Sequence, residues 1–153
     1  MTPEKQVRYD ALYMDWAYRV AEMSHAVRRK VGAVLVKDQS VLDYGWNGMP
    51  AGMDNNCEHY EDAGLMGGQL VTNDEVLHAE LNLFTKLLKS GRGNTSGSTL
   101  YVTLSPCMHC SKIALQSGVS EVKYNEEYRD LAGVNFLREN NVKVTKIERE
   151  IKS

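Results

Sequence analysis

The chain has 153 residues, 42% of them hydrophobic and 25% charged, which is enough to close one core and ordinary for a globular domain. Eighteen basic residues against 20 acidic ones give a formal net charge of −2, which argues against a polynucleotide partner and for a small substrate. There is no apolar run near the ~20 residues of a membrane span, no secretory layout at the start and only three cysteines, so residues 1–153 are expected to be one domain in a reducing cytoplasm.

Leu12, Trp16, Val20 and Met23 recur at helical spacing and predict an amphipathic helix from Val7 to about His25. The β-branched run Val31–Val36 predicts a buried strand, and Val41–Asn47, after the turn KDQS, a second strand returning beside it. Residues 48–76 carry five glycines and little periodicity, and a loop of that length is expected to be functional. Leu77, Leu81, Phe84 and Leu88 form the stripe of a second helix that stops at Gly91. Thr99–Leu104 is a strand, and Pro106 is placed to open a helix from Cys107 to about Ser117. A strand at SEVKYN, a helix at RDLAGVNFLREN and a strand at VKVTKIE complete the order α-β-β-α-β-α-β-α-β. Strands alternating with helices imply a partly parallel, five-stranded mixed sheet with helices on both faces, a three-layer α-β-α domain of the α/β class.

Two short segments carry chemistry. HAE (His78, Ala79, Glu80) and PCMHC (Pro106 to Cys110) each stand at the start of a predicted helix. Cys107 and Cys110, three apart, share one helix face and can offer two sulfurs to one ion. His78 can add a nitrogen, and two thiolates with an imidazole suit zinc with one corner left over. Taken alone, CxxC is equally compatible with a redox pair, and a structural zinc could be closed by Cys57, His59, His109 or His25. Glu80, two residues beyond His78, is placed to act as a base without being a ligand, which favours a catalytic zinc. H-x-E followed by P-C-x-x-C is the signature of the zinc nucleobase deaminases.

From KVGAVLV to about KVTKIE, through YGWNGMPAG, HAELN, TLYVTLSPCMHC and EEYRDLAG, the chain resembles the deoxycytidylate deaminases of the cytidine deaminase-like superfamily. Trp46 is a departure, since Tyr is commoner in the family at that place. The resemblance implies zinc-dependent hydrolysis of dCMP to dUMP and ammonia, which supplies dUMP for dTMP synthesis, with zinc on His78, Cys107 and Cys110 and Glu80 as the proton shuttle. It further implies that the Ala79 amide and the carbonyl around Ser105 read the base, that Asn47 holds the sugar and that Tyr128 packs over the nucleotide. The RRK cluster suggests Arg28 for the 5′-phosphate. The family pattern is a homo-hexamer activated by dCTP with Mg²⁺ and inhibited by dTTP, with the effector site around Trp46, Gly48 and Met49. Asp54, Glu58, Glu61 and Asp62 in the insert offer carboxylates to a cation. Cys57 and His59 could instead bind a second, structural zinc, although with three cysteines in the chain such a site would have to lean on histidine. Rival readings are a deaminase of another cytosine nucleotide or of tRNA adenosine, and a binding module built on structural zinc.

Overall fold

The computed structural model describes residues 1–62 and 64–149. Helix α1 (Pro3–Ala21) begins four residues earlier than the apolar spacing predicts. Thr2 caps it by accepting from the Lys5 N–H at 3.2 Å, and Pro3 takes the first position, where a missing N–H costs nothing. Strands β1 (Gly32–Lys37) and β2 (Ser40–Trp46) follow as an antiparallel pair. Residues 48–76 are not all loop. They hold a hairpin of β3 (Glu58–Asp62) and β4 (Gly68–Thr72), paired from Glu58 with Thr72 to Asp62 with Gly68. Its strands are polar and mostly exposed, so they lack the alternation by which strands are recognised.

Helix α2 (Ala79–Ser90), strand β5 (Thr99–Leu104), helix α3 (Met108–Gln116), strand β6 (Glu121–Glu126), helix α4 (Ala132–Glu139) and strand β7 (Lys143–Lys146) complete the chain. The main sheet has the order β2-β1-β5-β6-β7, antiparallel on the β1 side and parallel from β5 to β7. Five mixed strands between helices are the architecture expected from the sequence. Helices α2, α3 and α4 pack on one face through Leu83, Leu87, Ala114, Val134 and Leu137 against Leu35, Leu100, Val102 and Val122. Helix α1 covers the other face, with Met14, Ala17 and Val20 against Val34, Val36 and Tyr101. No helix among the described residues is long and apolar enough to cross a membrane.

The face of α1 that packs inward is not the one the sequence singles out. Leu12, Trp16 and Met23 are exposed, and only Val20 of the expected stripe is buried. The reason is the closeness of the packing. A Cβ on Gly32 would lie 1.9 Å from the Ala17 carbonyl oxygen, so the inward face must carry small residues such as Ala17 and Ala21. Leu88 of α2 is likewise exposed, while Ala79, Leu83 and Leu87 face Gly45 and the core.

Below α1 lies a buried ionic group. Lys123 Nζ meets Asp10 Oδ1 at 2.8 Å and Oδ2 at 2.9 Å, and the Tyr101 hydroxyl and the Gln6 amide also donate to Asp10 Oδ1. Burial first and Asp10 second push the Tyr101 phenol up, so it stays a donor. Removing Asp10 leaves the buried lysine charge with only the longer contact to Glu121 at 3.8 Å. Asp10→Ala should therefore cost about 3 kcal/mol, read as a lower urea midpoint at unchanged m-value.

Candidate metal centre and cavity

The centre lies where β5 ends and two helices begin. Leu104 closes the strand, Ser105 and Pro106 turn the chain, and Cys107 is the residue before the first turn of α3. Its sulfur accepts from the Cys110 N–H at 3.5 Å, so the cysteine itself caps the helix. His78 stands in the same position before α2. Both helix N-termini thus face one point, where their dipoles favour anionic ligands. His78 Nδ1 is 3.5 Å from Cys107 Sγ and 3.4 Å from Cys110 Sγ. Zinc–nitrogen bonds of ~2.0 Å and zinc–sulfur bonds of ~2.3 Å at tetrahedral angles require separations of about 3.5 Å, so this donor set fits zinc in both chemistry and spacing. Among the described residues it is the one group of three His, Cys, Asp or Glu side chains close enough to hold an ion.

The protons of the cluster are arranged around one thiolate. The Cys110 thiol and the His78 imidazole donate to Cys107, which lowers the Cys107 thiol, and the same bonds push Cys110 and His78 up. Glu80, 4% exposed, is held above the ordinary carboxylate range by burial. An acid whose proton affinity has been raised this way is better suited to take up and return a proton than an exposed carboxylate.

A cavity of about 410 Å³ opens beside the cluster. Its wall carries His78, Ala79, Glu80 and Cys107 at one end, and Arg28, Arg29, Glu58 and Thr72 also line it. Asn47, Ser105 and Tyr128 lie on the same wall, so the structure brings Arg28, Asn47, Ala79, Ser105 and Tyr128 to the one space that contains Glu80. Ala79 is the first residue of α2, where the amide has no intrahelical acceptor. The Ser105 hydroxyl accepts from the Tyr128 N–H at 2.8 Å and ties the two residues together. Asn47 has local work: it donates to the Arg29 carbonyl and accepts from the Val31 N–H, bracing the segment that carries Arg28 and Arg29.

Residues 7–126 match the family described as the cytidine and deoxycytidylate deaminase zinc-binding region. The chain belongs to this family. Among its relatives, a deoxycytidylate deaminase of Mycobacterium phage D29 is 36% identical over 125 residues, covering 78% of this chain and 95% of the phage protein. A deoxycytidylate deaminase of Saccharomyces cerevisiae is 33% identical over 134 residues, which span 84% of this chain but only 41% of the yeast protein. The crystal structure of a dCMP deaminase from the cyanophage S-TIM5, in complex with dCMP and dUMP, superposes with a TM-score of 0.81 at 40% identity, covering 96% of this chain and 99% of that one.

Within this deaminase-family fold, Trp46, Gly48 and Met49 lie apart from the cavity wall. Trp46 stacks on Tyr44 and packs against the α1 cluster, and Gly48 bridges to Leu77. The Met49 amide approaches the sulfur of Cys57. Cys57 is buried, and His59 is turned to Asn73 and Glu61, so the two do not share a site. Reading the sequence missed Glu58 as a cavity residue. It is 4% exposed and accepts from two backbone amides, so it is no free carboxylate for a cation. Thr72 and Arg29 were missed as well, because nothing in the local pattern links a hairpin threonine or a second arginine to a centre so distant in sequence.

Proposed function

We propose that the protein hydrolyses the 4-amino group of dCMP, giving dUMP and ammonia, with zinc held by His78, Cys107 and Cys110. The observation that carries this reading is the single cavity that joins the metal-fitting cluster and Glu80 to the guanidinium of Arg28. A pocket with a buried acid at one end and a cation on its wall has the layout for a base attached to a phosphate. The 40% identity to a deaminase solved with dCMP and dUMP supports the same substrate.

When bound, zinc supplies a water acidic enough to attack at neutral pH. Glu80 takes a proton from the attacking water as oxygen adds to C4, and passes it to N3 of the cytosine. It then takes the remaining proton of the hydroxyl added at C4 and delivers it to the 4-amino group as the C4–N bond breaks, so water is consumed and ammonia leaves. The Ala79 N–H is assigned to O2 of the base and the carbonyl around Ser105 to the amino group. Tyr128 covers the nucleotide, Asn47 faces the sugar and Arg28 pairs with the 5′-phosphate.

The test is loss of absorbance at the cytosine maximum, run in parallel with dCMP, CMP, dCTP and deoxycytidine. Preference for dCMP supports the reading, and failure with every cytosine substrate in a zinc-loaded protein overturns it. Arg28→Ala should raise KM for dCMP about tenfold while leaving deoxycytidine turnover unchanged, as expected for loss of one charge-assisted pair. An equal effect on both substrates would remove Arg28 from the phosphate.

In the same reading the protein is a cytoplasmic homo-hexamer of one-domain chains, activated by dCTP with Mg²⁺ and inhibited by dTTP near Trp46, Gly48 and Met49. A dCMP saturation curve that is hyperbolic and indifferent to dCTP would remove the regulatory part and leave the catalytic part standing.

A further inference from the structure

The segment between α1 and β1 carries Arg28, Arg29 and Lys30, and a connection of this kind has no regular structure to hold it. Two side chains of the β3–β4 hairpin supply the hold. Glu58 Oε2 accepts from the backbone N–H groups of Val27 and Arg28, both at 2.8 Å. Arg28 Nη1 donates to Thr72 Oγ1 at 3.1 Å. Glu58 and Thr72 are directly paired across the hairpin, so they project side by side from one face of the ribbon. One residue of each strand thus grips Arg28, Glu58 at its amide and Thr72 at its guanidinium.

The charges make the arrangement specific. Arg29 is paired with Glu126 at 3.3 Å, while Arg28 forms no ion pair among the described residues. The Arg28 charge is therefore open to an anion entering the cavity. A carboxylate in a cavity that takes an anion would repel it, and burying one is costly unless hydrogen bonds compensate. Glu58 is 4% exposed and directs an oxygen at two amides, so its charge is engaged by the backbone that carries the arginine.

We propose that Glu58 and Thr72 are a positioning pair that presents Arg28 to the 5′-phosphate, and that the β3–β4 hairpin thereby makes this centre selective for nucleotides over nucleosides. This rests on the reading of dCMP as substrate. The quantity to measure is the ratio of kcat/KM for dCMP to that for deoxycytidine in zinc-loaded protein. Glu58→Ala should lower the ratio about tenfold and Thr72→Val about threefold, through KM for dCMP with kcat little changed. Glu58→Gln keeps an acceptor oxygen facing the two amides and should restore most of the ratio.

Equal losses on both substrates in Glu58→Ala, or a wild-type ratio in both Glu58→Ala and Thr72→Val, would overturn the pairing. If Glu58→Ala does not fold, Thr72→Val with an unchanged ratio overturns it alone. Wild-type protein that leaves dCMP untouched would instead overturn the substrate reading. Calorimetric binding of dUMP against deoxyuridine then still decides the pair: a variant that binds dUMP as tightly as wild type refutes it, and selective loss of dUMP binding supports it.

Discussion

Glu80→Gln is expected to retain one zinc per chain and an unchanged melting temperature, while kcat for dCMP falls by about 10⁴-fold. The substitution preserves size and one carbonyl oxygen, so the buried space beside Cys110 stays filled. It removes the ability to carry a proton between the attacking water, N3 and the departing amine. Burial already raises the proton affinity of Glu80, which is the direction required of a group that exchanges protons in the reaction. A structural zinc site would tolerate glutamine with no functional loss. Metal analysis and a single-wavelength assay on the same sample separate the outcomes. Loss of zinc would make Glu80 a structural partner of the cysteines, and retained turnover would move the proton shuttle to another residue.

The chemistry was legible in the sequence because it is local. HAE and PCMHC each put their side chains at the start of one helix, and spacing alone places Cys107 and Cys110 on one side of an ion. The five sheet strands were legible for a similar reason, since Val31–Val36 and Thr99–Leu104 are β-branched runs too apolar to lie anywhere but the core. What could not be read is whatever depends on close approach between distant segments. The inward face of α1 is set by the backbone of Gly32 meeting Ala17, and two competing apolar stripes on that helix look equally good without it. The hairpin escaped because Glu58–Asp62 is polar on both faces. Its purpose in the fold lies in Glu58 and Thr72, which grip a segment some thirty to forty-five residues earlier in the chain.

Gly133→Ala should disable the centre from the far side of α3. Gly133 lies in the first turn of α4, and a Cβ there would stand 2.4 Å from the Pro106 carbonyl oxygen, 2.6 Å from the Cys107 carbonyl carbon and 2.6 Å from Ser111 Oγ. Two of those three atoms are backbone and cannot rotate away, so either α4 lifts or the Pro106–Cys107 turn moves. Ser111 is fully buried, and its hydroxyl has no partner among the described residues, so this pocket has little slack. The strain should cost about 1–3 kcal/mol of stability. A turn displaced by about 1 Å misplaces the Cys107 sulfur and the neighbouring Ser105 carbonyl, which is enough to lower kcat roughly 100-fold. Chelator competition, melting temperature and kcat, measured together, distinguish the two responses. Faster zinc loss with a large fall in kcat means the turn has moved. A lower melting temperature with zinc affinity and kcat intact means α4 has lifted, and the centre is then insulated from the helix packed against it. Adding Ser111→Ala relieves only the side-chain contact, so it should recover little of either property, because the backbone atoms of Pro106 and Cys107 remain in the way.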